Sequence, residues 1–286
     1  MADEKSTRPV GAPADLLTTH AAHHGDKVAV IDDRGDGNVR QLTYAELEQQ
    51  ANRLAHVLID HGVTRGDKVV WCGQNSTGIV MMVNAARKIG ATAVPLNYRL
   101  SDEEAAYVVD HSDATTVYVD AEFAPMFDRI GAEIPKVTNV FVFDGSADGA
   151  MTAIDPLVDA APDTPPEVPE ATEAAATMIY TSGTTGKPKG AFRRTAGSAA
   201  QSAALLEHIG YRPDDRYITT GPLYHSGPGG FMGIGLAMGQ TIILQRKFDP
   251  VDWLRLVDTY HATSTFSAPT PIRMICNVAD DIKAQY

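Results

Sequence analysis

Tyr180-Thr181-Ser182-Gly183-Thr184-Thr185-Gly186-Lys187-Pro188-Lys189-Gly190 is the stretch on which the reading of this chain turns. It follows directly on Thr177-Met178-Ile179-Tyr180, a short β-rich run that reads as a strand. Three glycines open backbone angles closed to other residues, so successive N–H groups can turn inward around an anion. Four hydroxyls add donors and two lysines add positive charge, which makes a cradle suited to a triphosphate. A polar surface turn shares this composition but not the ordered run of hydroxyls and glycines ending in Lys-Pro-Lys-Gly. Nor is this the P-loop of NTPases, whose glycines stand further apart than Gly183 and Gly186 and whose lysine opens a helix, where here Pro188 follows Lys187.

Outward from the loop, short apolar runs alternate with helical patterns, which predicts an α/β fold of mixed, largely parallel sheets flanked by helices. Strands are expected at Val28–Ile31, Lys68–Trp71, Ala93–Leu96, Thr116–Val119, Val140–Phe143, Tyr217–Thr219 and Thr241–Leu244. Most are apolar on both faces, as buried parallel strands are. Thr43 with Glu46, and Ser101 with Glu104, are capping-box pairs that open helices. Asp249 before Pro250 and Thr270 before Pro271 predict two more helix starts. Asp33 to Asn38 reads as a hairpin turn. Residues 1–13 read as a flexible N-terminus, 14–154 as a first α/β subdomain, 155–173 as a Pro/Ala/acidic linker, and 174–286 as a second α/β subdomain. Ala279 to Tyr286 carries no stop signal, so this second unit reads as unfinished.

Composition narrows the function. A formal net charge of -12 leaves no general electrostatic pull towards nucleic acid. Cys72 and Cys276 are far apart and outside any ligand-like cluster, which favours a reducing, cytoplasmic setting over a disulfide framework or zinc site. No stretch is long and apolar enough to predict a membrane span, leaving open a peripheral membrane contact and a homo-oligomer. His20, His23 and His24 have helical spacing but no acidic or sulfur partner, so an exposed helix face is expected there. Trp71, Trp253, Met81 and Met82 read as core residues.

The loop resembles the phosphate-binding signature of the adenylate-forming superfamily: acyl-CoA synthetases, luciferases and the adenylation domains of peptide synthetases. Leu42–Leu47, Gly66–Val69, Gly90–Asn97, Pro222–Gly227 and Ala268–Thr270 resemble further landmarks of that family in the same order. The resemblance implies the amino-terminal part of an ATP-dependent, AMP-forming acyl-CoA synthetase, with ATP, Mg²⁺ and CoA as cofactor and co-substrates and a fatty acid as the expected carboxylic acid. It further implies that Thr181, Ser182, Gly183, Thr184, Thr185, Gly186 and Lys189 hold the ATP phosphates and that Thr181 helps to bind Mg²⁺. His225, expected at a strand-to-helix junction beside a flexible Gly229-Gly230 loop, would position the acid. Gly233, Gly235 and Ala237 would leave room for its tail or let a helix pack closely. Arg193 and Arg194 stand where a His-containing run is commoner in the family.

By the same resemblance, the adenine pocket, the ribose-binding aspartate and the adenylation lysine lie beyond Tyr286. The chain alone is therefore expected to be inactive. Two alternatives stay open: an amino-acid or aryl-acid adenylation domain, and a non-catalytic homologue that binds nucleotide or pairs through an apolar face near Ile272, Met274 and Ile275.

Overall fold

The computed structural model describes residues 15–167, 176–181, 189–194 and 208–286. The expected flexible N-terminus, residues 168–173 of the expected linker and residues 182–188 of the phosphate loop lie outside the described residues.

Two sheets share the strands. The larger holds β3 (Lys68–Cys72), β4 (Thr92–Leu96), β5 (Thr116–Asp120), β6 (Asn139–Phe143), β7 (Thr152–Ala153), β8 (Ala176–Thr181) and β9 (Lys189–Arg194), in the order β7-β6-β5-β3-β4-β8-β9. All of its pairs are parallel except β8 with β9. The smaller holds β1 (Val28–Asp33), β2 (Val39–Thr43), β10 (Arg216–Thr219), β11 (Thr241–Leu244) and β12 (Ser264–Phe266), in the order β12-β10-β11-β1-β2, and only β1 with β2 is antiparallel. The mixed, largely parallel α/β class is the one the sequence predicts, and each strand run named from the sequence is a strand.

Helices α2 (Tyr44–Asp60) and α3 (Thr77–Ile89) contribute to a single core with both sheets. Side-chain alternation decides which face of the larger sheet each residue serves. Val69 and Trp71 of β3 belong to the core cluster that contains Leu54, Leu58, Ile79 and Met82, whereas Val70 and Cys72 belong to the cluster on the other side, with residues of α4 (Asp102–His111) and α5 (Ala124–Arg129). The outer face of the smaller sheet is covered by α8 (Pro250–Tyr260), through Leu256, Trp253 and Val257. With α1 (Leu16–His24) and α7 (Ser226–Met238) also joined to the central cluster, the layers run helix, sheet, helices, sheet, helix. α6 (Asp155–Ala160) lies at the linker, and α9 (Pro269–Cys276) and α10 (Asp280–Lys283) end the chain.

Both capping boxes are complete. The Glu46 amide donates to the Thr43 hydroxyl oxygen at 3.2 Å, while the Thr43 amide donates to the Glu46 carboxylate at 2.7 Å. Ser101 and Glu104 make the same exchange. Asp249 accepts from the amides of Val251 and Asp252 at the start of α8.

Three expectations are corrected. Thr270 caps nothing: α9 already begins at Pro269, because a proline fits the first helical position, and Ala268 takes the cap without a side-chain bond. Asp155–Ala160 is helical, since the linker prolines Pro162 onward lie beyond it, and Pro156 sits in its first turn where no N–H is required. Gly229 and Gly230 are helical too, inside α7. The sheets also ignore the expected halves of the chain. β1 and β2, from residues 14–154, pair with β11, while β8 and β9, from 174–286, join β4.

Candidate functional site

The parallel strands set the location. Ligands of open α/β sheets bind outside the carboxyl ends of the strands, where the connecting segments meet. Here the carboxyl ends of both sheets come together. After β3 comes Asn75, after β4 Tyr98 and Arg99, after β5 Phe123, after β10 the Gly221 to His225 segment, and after β11 Gln245 and Arg246.

Two contacts tie the ends across the sheets. Asn75 is 5% exposed and uses its whole amide: Nδ2 donates to Gly221 O at 3.0 Å and Gln245 O at 2.9 Å, while Oδ1 accepts from the Leu223 amide at 2.9 Å. Its own backbone N–H donates to Arg246 O at 3.2 Å. The Arg246 guanidinium in turn donates to buried Asp120 at 2.8 Å. Sequence reasoning missed both residues. The available signal was a polar run, Gln74-Asn75-Ser76, directly after a buried strand.

His225 is the N-cap residue of α7, with an extended backbone and no side-chain cap bond. Its amide donates to Pro222 O and its carbonyl accepts from the Gly229 amide, so the imidazole is free to face outward from the junction. The expected strand-to-helix position is therefore observed. Partial burial, together with the positive charge of Arg99, holds the imidazole below the ordinary histidine pKa, so it is neutral at pH 7. Its ring lies 4.5 Å from that of Tyr224, which meets Tyr98 edge-on at 5.4 Å, and Tyr98 stacks on Phe123 at 4.8 Å. The Arg99 guanidinium sits 5.4 Å from the Tyr98 ring centroid. The arrangement offers one neutral imidazole, one nearby cation and aromatic walls, which suits a carboxylate carrying an apolar body.

Thr181 ends β8 and Lys189 opens β9, and the two are cross-strand partners, so residues 182–188 connect the strands of an antiparallel hairpin. β8 runs parallel to β4, which puts the carboxyl end carrying Thr181 on the side of Asn97 and Arg99. Lys189 is exposed, while Ser182, Gly183, Thr184, Thr185 and Gly186 lie outside the described residues. Arg193 and Arg194 continue β9.

The hairpin is held near its loop by Tyr180. Gly190 lies opposite Tyr180, and a Cβ there would stand 3.1 Å from the ring, so the glycine lets the aromatic ring cross the pair. The phenol then reaches Nδ1 of His111 at 2.8 Å, with the rings edge to face at 5.8 Å. Burial, reinforced by Tyr107 and Asp113, pushes the Tyr180 pKa up to about 12, so the hydroxyl keeps its proton. Tyr180→Phe is expected to lose about 1 kcal/mol and to speed hydrogen exchange at the β8 amides relative to those of β4.

Other expectations are modified. His20 is not part of an exposed face: its Nε2–H donates to Ala237 O at 2.9 Å and its ring packs 5.2 Å from Tyr44, although His23 and His24 are exposed. Gly235 packs α7 against β11, because a Cβ would meet Gln240 and Ile242, whereas Gly233 faces open space. Trp71 and Met82 are buried as core residues, with Met81 and Trp253 packed partly against them and their neighbours. Ile272 and Met274 are exposed on α9. Among the described residues there is no group of three or more His, Cys, Asp or Glu that could hold a metal. No helix among them is long and apolar enough to cross a membrane.

Residues 17–286 match the AMP-binding enzyme family. The chain belongs to that family. A 3-hydroxybenzoate--CoA ligase from Aromatoleum sp. (strain CIB) is 35% identical over 240 residues, covering 83% of this chain and 46% of the relative. A crotonobetaine/carnitine--CoA ligase from Citrobacter koseri is 30% identical over 262 residues, covering 88% of this chain and 50% of the relative. Among solved structures, a putative long-chain-fatty-acid CoA ligase from Rhodopseudomonas palustris superposes with a TM-score of 0.83 at 25% identity, over 94% of this chain and 66% of that one. This AMP-binding family chain thus spans about half the length of the curated relatives it matches. The resemblance seen in the loop and its companion landmarks is the relationship these comparisons show, and the fold is that of the amino-terminal domain of adenylate-forming enzymes.

Proposed function

We propose that this chain supplies the phosphate-binding and acid-binding side of an AMP-forming acid–CoA ligase. In the first step a carboxylate oxygen attacks the α-phosphorus of ATP and pyrophosphate leaves. In the second the thiol of CoA, losing its proton, attacks the acyl carbon and AMP leaves. Thr181, Ser182, Gly183, Thr184, Thr185, Gly186 and Lys189 would hold the β- and γ-phosphates and stabilise the charge that develops on pyrophosphate. Mg²⁺, bound through Thr181 and the phosphates, would neutralise the same oxygens. His225 would orient the acid by hydrogen bonding as a neutral imidazole. The observation that carries the reading is the convergence of the loop-bearing hairpin and His225 at the carboxyl ends of the strands in a chain of the AMP-binding family.

For the acid, the fold match to a fatty-acid ligase supports the fatty acid expected from the sequence. The hydroxybenzoate ligase supports an aromatic acid instead. Isothermal titration with Mg–ATP tests the phosphate role: binding is expected that Lys189→Ala weakens at least tenfold. Binding indifferent to that change, or none at all, would overturn it.

A further inference from the structure

The hairpin that carries the loop is anchored unevenly. β8 joins the larger sheet beside β4, and their one registered pair among the described residues, Ala93 with Thr177, lies near the start of both strands. Beyond it β8 is registered only with β9, the last strand of that sheet. A two-stranded ribbon is marginal by itself, so the end bearing Thr181 and Lys189 depends on side chains for its place. Met178 and Tyr180 both pack against the core cluster that α4 and α5 line. Apolar packing of this kind has no direction of its own. The Tyr180 phenol supplies the direction, through its 2.8 Å hydrogen bond to Nδ1 of His111. His111 is exposed and ends α4, and what surrounds it is fixed in turn. The Lys136 ammonium donates to Asp110 O at 2.8 Å and to Asp113 Oδ1 at 2.9 Å, and the Tyr107 ring lies 5.2 Å from the imidazole. With the phenol as donor, Nδ1 is the acceptor, which places the proton of the neutral ring on Nε2.

We propose that His111 is a positioning residue for the phosphate site: through the Tyr180 phenol it fixes the carboxyl end of β8, and with it Thr181 and Lys189, against the sheet. This rests on the reading of the hairpin turn as the phosphate site. Tyr180 precedes Thr181 in the chain and faces Gly190, the neighbour of Lys189, so one bond at Tyr180 orients both sides of the turn. His111 itself touches no phosphate. It acts by holding donors at the spacing a polyphosphate needs, which spares the ligand the cost of ordering them.

Isothermal titration of this chain with Mg–ATP tests the proposal. His111→Ala and Tyr180→Phe are each expected to weaken binding about fivefold or more. The double variant should lose about the same and no more, because both changes remove one bond. His111→Asn, whose Oδ1 stands as many bonds from the backbone as Nδ1 and accepts likewise, should bind within about twofold of the native chain. Nitrogen NMR of the native chain should show His111 Nδ1 without a proton. Because His111 is exposed, its variants keep the core, and urea midpoints verify that they are folded. Mg–ATP binding unchanged in His111→Ala overturns the proposal. So does His111→Asn binding as weakly as alanine, which would leave the imidazole a packing role only. If Lys189→Ala weakens binding while the His111 variants do not, the phosphate site stands and the positioning role falls. Binding indifferent to Lys189→Ala, or none at all, overturns both.

Discussion

Replacing Lys88 with alanine is expected to cost about 3–5 kcal/mol of folding stability, read from the urea midpoint and slope. The Lys88 side chain, in α3, is 5% exposed, and its ammonium donates to Glu48 of α2 at 2.7 Å, to Asp15 at 3.0 Å and to Thr18 at 3.2 Å. Arg87 adds a second contact to Asp15 at 2.7 Å. These bonds dock α1, which has Leu17 as its one buried residue and so gains little from apolar burial. Removing the lysine leaves the Glu48 carboxylate without its cation, held by the Thr18 hydroxyl and the Asn52 amide on one oxygen while the other has no partner among the described residues, whereas Asp15 keeps Arg87. The loss comes from that uncompensated charge rather than from the pair's own worth, so a Lys88→Met, Glu48→Met double variant should recover part of it.

The same cluster sets an acid limb. Burial pushes the Asp15 carboxyl up, but Arg87 and Lys88 together outweigh it and hold the folded-state pKa far below the usual carboxylate range. A group depressed on folding contributes stability that is complete above its unfolded pKa of about 4 and fades as pH falls below that. Urea midpoints are therefore expected to drop between pH 5 and pH 3 in the native chain. The drop should be shallower in Lys88→Ala, which has lost one of the two cations responsible.

What the sequence disclosed follows the range of the forces involved. Thr43 with Glu46 and Ser101 with Glu104 act within one helical turn, so their spacing is visible in the chain and both boxes form. The parallel strands were legible because burial on both faces demands continuous apolar runs. β9 and β12 were not: Lys189–Arg194 is a charged sheet edge, and Ser264–Phe266 is three residues long with no alternation to detect. The two-prolines start of α9 defeated the Thr270 expectation, because either proline could open the helix and Pro269 does. His20 was misplaced for a different reason. Its partner, Ala237, lies 217 residues away, and nothing in a local pattern encodes a contact of that range. The phosphate loop and His225 could be proposed as site residues from local sequence, whereas the residues that bring their strands together could not.

Asn75 is the clearest of these, and its loss is expected to have the second large effect. Asn75→Ala removes two donors and one acceptor at once, leaving the Leu223 amide and the carbonyls of Gly221 and Gln245 without those partners in a buried seam. Each unsatisfied buried group costs about 1–3 kcal/mol, and partial relaxation brings the expected total to about 3 kcal/mol. Asn75→Asp separates geometry from bonding: it keeps the shape and the acceptor for Leu223 but turns both donors into acceptors facing carbonyls, so it should destabilise as much as alanine. Stability alone would not distinguish a seam from a site. The Gly221 to His225 segment, however, hangs on this amide, and the His225 ring has no cap bond of its own to hold it. Acid binding by Asn75→Ala, measured at a temperature where the variant is folded, should therefore weaken at least fivefold, with Mg–ATP binding at the hairpin changed less than twofold. Equal weakening of both ligands would show that Asn75 supports the whole fold and not the placement of His225.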